Sequence, residues 1–188
     1  MKTLIITAHP SSLGHTHIIA NTYKEEKIKS GNEVELIDLY SEENQLPFLK
    51  FENVREWPVN DVMKKMQEKI LWADELVFVH PVWWSFMPAI MKNWFDYVMT
   101  AGFAYKYEKT GLKKFLTGKT AKVFATSGGK TWFYTIPFSP FRTHYDKFIL
   151  GFFGVKLKEI KVCGKMSMPG NEERFEKFLD KVRKSASS

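Results

Sequence analysis

Short apolar runs alternate with amphipathic stretches along the whole chain. Thr3 to Ala8 (T-L-I-I-T-A) is an apolar run rich in β-branched residues, the pattern of a strand buried on both faces. From His17 to Ser30 the pattern becomes helical, and it stops at Gly31-Asn32. Glu33 to Leu39 (E-V-E-L-I-D-L) alternates as a second strand, completing a β-α-β unit whose crossover should be right-handed. Asn60-Asp61 caps a helix running to about Trp72, with Val62, Met66, Lys69 and Ile70 on one side. Glu75 to His80 (E-L-V-F-V-H) is a third strand, stopped by Pro81. Pro88 to Met99 reads as a helix with proline near its first turn. Thr120 to Thr126 is a fourth strand, residues 142–153 a helix, Val155 to Val162 a fifth strand and Asn171 to Lys184 a last helix. Residues 40–59 and 100–119 are long connections without clear periodicity, and 130–141 is an aromatic loop. Loops of that length are uncommon unless they are functional or pack as an arm.

Strands alternating with helices predict an α/β fold with a doubly wound parallel sheet and helices on both faces. Five strands fit the flavodoxin-like order 2-1-3-4-5, in one domain spanning 1–188. In such a sheet a ligand lies outside the strand C-termini, at the switch point between strands 1 and 3, with the end of strand 4 beside it. The residues following strands 1, 3 and 4 are therefore where chemistry is to be sought.

Composition narrows the classes. Apolar residues make up 44% and charged residues 26% of 188, an ordinary globular balance. The single cysteine, Cys163, excludes an intramolecular disulfide framework and a cysteine-rich metal site, and its place in a strand marks it as a small buried hydrophobe. The apolar run after Met1 breaks at His9-Pro10, too soon for a signal peptide, and no run reaches membrane-spanning length. A cytoplasmic protein with no membrane insertion is expected. The net charge of +7 invites a nucleic-acid reading, but the lysines are scattered and paired locally with glutamates, as in K-E-E-K. No clustered basic stripe with interleaved aromatics is seen, so no nucleic-acid partner is expected.

Three segments fall where the fold binds ligands. After strand 1 comes H-P-S-S-L-G-H-T-H, with hydroxyls, imidazoles and a glycine just before a helix. Backbone N–H groups at a helix start suit a phosphate, although a plain Ser or Thr cap reads the same way. After strand 3 comes H-P-V-W-W-S-F-M-P, which is either core packing or a wall against a flat heterocycle. After strand 4 comes T-S-G-G, either a tight turn or a backbone that a ligand approaches closely. Neither G-x-G-x-x-G nor a Walker-type lysine motif is present. Together the three loops suit a planar, polar-edged, phosphorylated cofactor, and flavin fits that description.

These segments, with A-G-F-A-Y-K-Y and W-x-x-x-P-A-I-M-K-x-W, resemble the NAD(P)H:quinone oxidoreductase family. This is the flavodoxin-like branch that includes bacterial modulators of drug activity and ancillary subunits of potassium efflux systems. The resemblance covers nearly the whole chain. It implies that His9 and the helix-opening His15, Thr16 and His17 hold the flavin phosphate. Pro81, Val82, Trp83 and Trp84 would line the isoalloxazine, and Thr126, Ser127, Gly128 and Gly129 the other side of the ring. Tyr105 and Tyr107 resemble the tyrosine pair that shapes the acceptor pocket. With Trp84 they would be the residues at the reaction. The cofactor so implied is FAD, with FMN as the alternative and NAD(P)H as cosubstrate. The acceptor is a small quinone-like molecule, reduced in ping-pong order in a homodimer whose second subunit helps form the pocket.

The chain also departs from the family. Trp83 stands where many members have glutamine, Ser85 where many have an aromatic residue, and Ser127 where threonine is usual. Tyr134 and His144 lie near the place where some members carry a tyrosine and a histidine that stabilise charge on the reduced flavin. The aromatic segment from Trp132 to Phe153 reads as an interface or as part of the core. Two other readings stay open at this point: a flavodoxin-type electron carrier, and a regulatory flavoprotein subunit of a membrane transporter.

Overall fold

A five-stranded parallel sheet carries the fold, and its strands are the apolar runs of the sequence. The computed structural model describes residues 1–53, 57–58 and 60–187. Part of the long 40–59 connection, residues 54–56 and 59, lies outside the described residues. The chain runs β1 (Lys2–Thr7), α1 (His15–Lys29), β2 (Glu33–Asp38), a 3-10 turn (Glu42–Asn44) and α2 (Asp61–Trp72). It continues with β3 (Glu75–Pro81), α3 (Ala89–Val98), β4 (Tyr105–Glu108), β5 (Gly111–Lys114) and β6 (Thr120–Thr126). Then come α4 (Trp132–Thr135), α5 (Pro140–Thr143), a π-helical segment (His144–Leu150), α6 (Gly151–Phe153), β7 (Lys156–Cys163) and α7 (Asn171–Ala186).

The main sheet has the order β2-β1-β3-β6-β7, with β4 and β5 forming a separate antiparallel pair. Set that pair aside and the order is the expected 2-1-3-4-5. Alternation along each strand divides the core. Leu4, Ile6, Leu76, Phe78, Val123 and Ala125 face one layer, which contains α2 and α3. Ile5, Val77, Val79 and Phe124 face the other, where they meet Ile19 and Tyr23 of α1 and Phe178 and Val182 of α7.

Several boundaries move. Helix α1 begins at His15, two residues before the expected start, because Gly14 in extended conformation serves as its N-cap. Asn60 caps α2 as expected, its side chain accepting from the Met63 N–H at 2.8 Å, and Met63, Met66 and Ile70 are the buried side. The 100–119 connection contains the β4–β5 hairpin. Its strands read Y-K-Y-E and G-L-K-K, too short and too polar to show alternation. The helix expected over 142–153 is a run of changing pitch. Its middle opens into a π-helix, where a Cβ on Gly151 would strike the Asp146 carbonyl oxygen. The aromatic loop 130–141 holds the short helix α4. Cys163 is buried at the end of β7, and burial pushes its thiol pKa up.

Buried polar groups sit at both ends of β3. At its start the Glu75 carboxylate lies 3.5 Å from the ammonium groups of both Lys27 and Lys122. It also accepts from the Tyr23 hydroxyl at 2.9 Å. Lys122 in turn donates to the Ser185 carbonyl at 2.6 Å, tying α7 to the sheet. Burial pulls the Lys122 ammonium below the usual lysine range, and Glu75 opposes that shift.

At the far end His80 is fully buried. Its Nδ1 lies 2.8 Å from the Pro81 carbonyl and its Nε2 2.6 Å from the Tyr145 hydroxyl. A neutral ring protonated on Nδ1, accepting from the tyrosine at Nε2, satisfies all these groups. Burial lowers the His80 pKa from 6.5 to about 4.

This histidine sets an acid limit on stability. Above pH 6.5 it is neutral in both folded and unfolded chains. Between pH 6.5 and about 4 only the unfolded chain takes up the proton, so stability falls as the pH drops through that window. A shift of this size corresponds to about 3 kcal/mol. Urea unfolding of the wild type and His80→Gln from pH 7 to 4 checks this. The variant should be less stable at pH 7 but should lose most of the slope, and equal slopes would assign the effect to another group.

Candidate active site

Strands β1, β3 and β6 are neighbours, so the loops at their C-terminal ends meet at one edge of the sheet. Backbone bonds join them: the Ala8 N–H donates to the Val79 carbonyl at 3.0 Å and the Val82 N–H to the Thr126 carbonyl at 2.7 Å.

The first loop folds back over itself. His9 accepts the Ser11 N–H at Nδ1 (3.0 Å), and His17 approaches the His9 carbonyl at 3.4 Å through Nε2. Gly14 is required for this arrangement, because a Cβ there would strike the His9 ring. The α1 N-terminus has no side-chain cap and no acidic residue in its first turn. The N–H groups of His15 and Thr16 have no partner among the described residues. Beside them, the hydroxyls of Thr7 and Thr16 are buried with no hydrogen-bond partner. A buried hydroxyl left unpaired is costly. An anion accepting from helix-start N–H groups and a threonine hydroxyl satisfies both needs, so these residues fit a flavin phosphate.

The second loop is a tight turn. Trp83 and Phe86 exchange backbone hydrogen bonds of 3.0 and 2.9 Å. Between them Trp84 and Ser85 have φ of 51° and 60°, the pattern of a type I′ turn. Glycine or asparagine is usual at such positions, and a tryptophan there costs roughly 1–2 kcal/mol. The turn leaves Trp84 99% exposed. Trp83 and Trp84, with Tyr40, Met87 and Ile90, line an open cavity of about 440 Å³.

In the third loop Thr126 and Ser127 are buried, whereas Gly128 and Gly129 are exposed with N–H groups that have no partner among the described residues. Tyr134 leans over this turn, and a Cβ on Gly129 would come within 2.6 Å of its hydroxyl oxygen. His144 is exposed, with its ring 5.1 Å from that of Phe86 in the second loop. Both residues therefore border the loops.

The tyrosine pair lies elsewhere. Tyr105 packs edge-on against Tyr107 and Phe152, at 5.7 and 5.0 Å between ring centroids. It lines a separate cavity of about 380 Å³ with Trp57, Phe95 and Met99. Of the lining residues that cavity shares only Lys92 with the one at Trp84. One chain alone does not bring the tyrosines to the three loops. Sequence reasoning also missed Thr7 and the His80–Tyr145 pair. The repeated His-Pro at both strand ends is the signal that marks His80, while nothing in the sequence distinguishes Thr7 from any strand threonine.

Comparison with known proteins bears on the fold and the family. The Flavodoxin_2 family model, described as a flavodoxin-like fold, matches residues 1–186. An FMN-dependent NADH:quinone oxidoreductase of Caldicellulosiruptor saccharolyticus is 32% identical over 98% of this chain and 96% of its own length. Among solved structures, the Smu.1420 protein of Streptococcus mutans superposes with a TM-score of 0.82 at 32% identity, covering 100% of this chain and 99% of that one. An NAD(P)H:quinone oxidoreductase from Methanothermobacter marburgensis gives a TM-score of 0.83 at 26% identity, covering 100% and 96%. With the loops after β1, β3 and β6 meeting at one edge of the sheet and relatives matched along almost their whole length, the chain belongs to the flavodoxin-like fold family and, within it, to the NAD(P)H:quinone oxidoreductases.

Proposed function

We propose that this chain binds FMN across the ends of β1, β3 and β6 and passes reducing equivalents from NAD(P)H to a quinone-like acceptor. The observation that carries the reading is the pair of buried, partnerless hydroxyls, Thr7 and Thr16, beside an uncapped and acid-free helix start. The relative named above is FMN-dependent, which moves the cofactor assignment from FAD to FMN.

Bound flavin would supply the redox chemistry, a two-electron couple between NAD(P)H and the acceptor, with solvent balancing the protons. The chain binds and orients. The N–H groups of His15 and Thr16 and the Thr16 hydroxyl hold the phosphate, with His9 and His17 closing the loop over it. The backbone of Pro81, Val82 and Trp83 and that of Thr126 and Ser127 would hold the ring, and the N–H groups of Gly128 and Gly129, which have no partner among the described residues, would donate to it. The missing side chain of Gly129 lets the Tyr134 hydroxyl approach the turn, and Trp84 would supply stacking surface. Donor and acceptor use one face in turn, which makes the order ping-pong. No side chain is an obligatory acid or base in this scheme.

Tyr105 and Tyr107 enter through a second copy of the chain. Phe133, Phe138 and Phe148 are 46%, 88% and 65% exposed, an apolar surface suited to self-association. In the homodimer the tyrosines of one subunit reach the pocket of the other and close it over the acceptor. The enzyme works in the cytoplasm as a single domain.

Three measurements test this reading. An absorbance spectrum of the purified protein should show flavin bands that bleach with NAD(P)H and return with a quinone, and a protein that takes up neither FMN nor FAD would defeat the proposal. Trp84→Ala should leave stability nearly unchanged, since the indole is 99% exposed. It should lower kcat/KM for NAD(P)H by about tenfold, or about 1.4 kcal/mol, and unchanged kinetics with full flavin content would remove Trp84 from the site. Light scattering should give twice the chain mass of 22.0 kDa, whereas a monomer that still turns over would rule out the shared pocket.

A further inference from the structure

A second open groove, of about 600 Å³, begins where the glycine turn ends. Lys130, Thr131, Trp132, Gly164, Lys165 and Arg174 line it. Its floor is tightly built. The Lys165 N–H donates to the Gly129 carbonyl at 2.8 Å, and the Gly164 N–H to the Thr131 hydroxyl at 3.2 Å. A Cβ on Gly164 would lie 2.6 Å from both the Gly129 oxygen and the Thr131 nitrogen, so only glycine lets the two segments meet. Lys165 follows at a φ of 58°, a conformation a lysine seldom takes.

The groove carries three cations, and no carboxylate lines it. Lys130 and Lys165 have no ion-pair partner among the described residues. Glu172 and Glu173 lie in the first turn of α7, and Glu173 is engaged by Lys177 at 2.5 Å. Arg174 is held in place by the Lys165 carbonyl at 3.0 Å and the Pro169 carbonyl at 3.5 Å. Those bonds use two of its five donors, leaving the others for an anion. Trp132 adds an indole that is 57% exposed, a flat surface beside the charges.

FMN ends at a single phosphate, which the α1 start satisfies, so the resident cofactor leaves this groove unused. Gly129 belongs both to the ring-facing turn and to the groove floor. A dinucleotide with its nicotinamide at Gly128 and Gly129 can run its other half along this path. We infer that the groove binds the 2′-phosphoadenosine of NADPH, so that the enzyme prefers NADPH to NADH. This rests on the flavin reading of the three loops. The adenine stacks on Trp132 and the 2′-phosphate lies among Lys130, Lys165 and Arg174. A phosphomonoester is close to a dianion at neutral pH and matches an excess of positive charge better than the 2′-hydroxyl of NADH does.

Calorimetric titration of the flavin-loaded protein, which needs no turnover, tests the groove directly. Adenosine 2′,5′-bisphosphate should bind at least about tenfold more tightly than adenosine 5′-monophosphate, and raised salt should erode the difference. In Lys130→Gln/Lys165→Gln that difference should largely vanish. The KM for NADPH should rise about tenfold while the KM for NADH and the flavin content stay unchanged. Equal binding of the two nucleotides by the wild type would overturn the inference. So would a double variant that loses FAD but not FMN, since the groove would then serve the adenylate of a larger flavin. A wild-type protein that oxidises NADH and NADPH with the same KM defeats this inference alone, whereas one that takes up no flavin defeats the reading beneath it.

Discussion

The site depends on how firmly β3 is held, because β3 lies in the middle of the sheet and delivers the Trp83–Trp84 turn. Glu75 anchors its first residue between two buried lysines, joining α1 and β6 through one carboxylate. Such a knot is not a source of large net stability, since desolvation offsets most of its attraction. Its importance is that losing one member leaves the others charged and buried, at about 3–5 kcal/mol. Register follows from it: Glu75 lies opposite Thr3 on one side and Thr120 on the other, and the pairings continue in step to the loops. At the other end His80 joins the Pro81 carbonyl to Tyr145, so the wide π-helical turn packs against the strand that carries the tryptophans.

This division of labour is typical of a cofactor enzyme. The chain offers backbone donors, a helix start and aromatic surface at the strand ends, and it keeps its strongly perturbed ionisable groups, Tyr23, His80 and Tyr145, in the interior. Those groups hold elements together. The unpartnered groups at the strand ends are chiefly peptide dipoles fixed by the fold, which need no reorganisation when charge moves.

Much of this was legible from the chain alone, for reasons that differ by element. The parallel strands are readable because burial on both faces forces continuous apolar runs, as in L-V-F-V of β3. Their order then places the loops after β1, β3 and β6 side by side, which is why His9, Trp84 and Gly128 were found together. The hairpin was not readable, because a two-stranded pair facing solvent leaves no apolar alternation. The π-helix was hidden since its hydrophobic spacing differs little from that of an α-helix, and only the crowding at Gly151 reveals it. Tyr105 and Tyr107 were recognised by resemblance, yet a sequence does not say which cavity a side chain lines, and Tyr105 lies in a different one from Trp84.

The Trp84–Ser85 turn has one more consequence. Left-handed backbone is a narrow basin for bulky residues, so the turn has few neighbouring conformations into which it can relax. The Cα–Cβ bond of Trp84 is thus aimed outward by the backbone, and little loop freedom remains to be lost when a molecule docks on the ring. A glycine in place of Ser85 would ease part of the strain and widen the basin, letting the turn that carries the indole wander. The exposed ring turns on its own bonds while the backbone beneath it stays put, so this surface adapts through one side chain and not by refolding a loop.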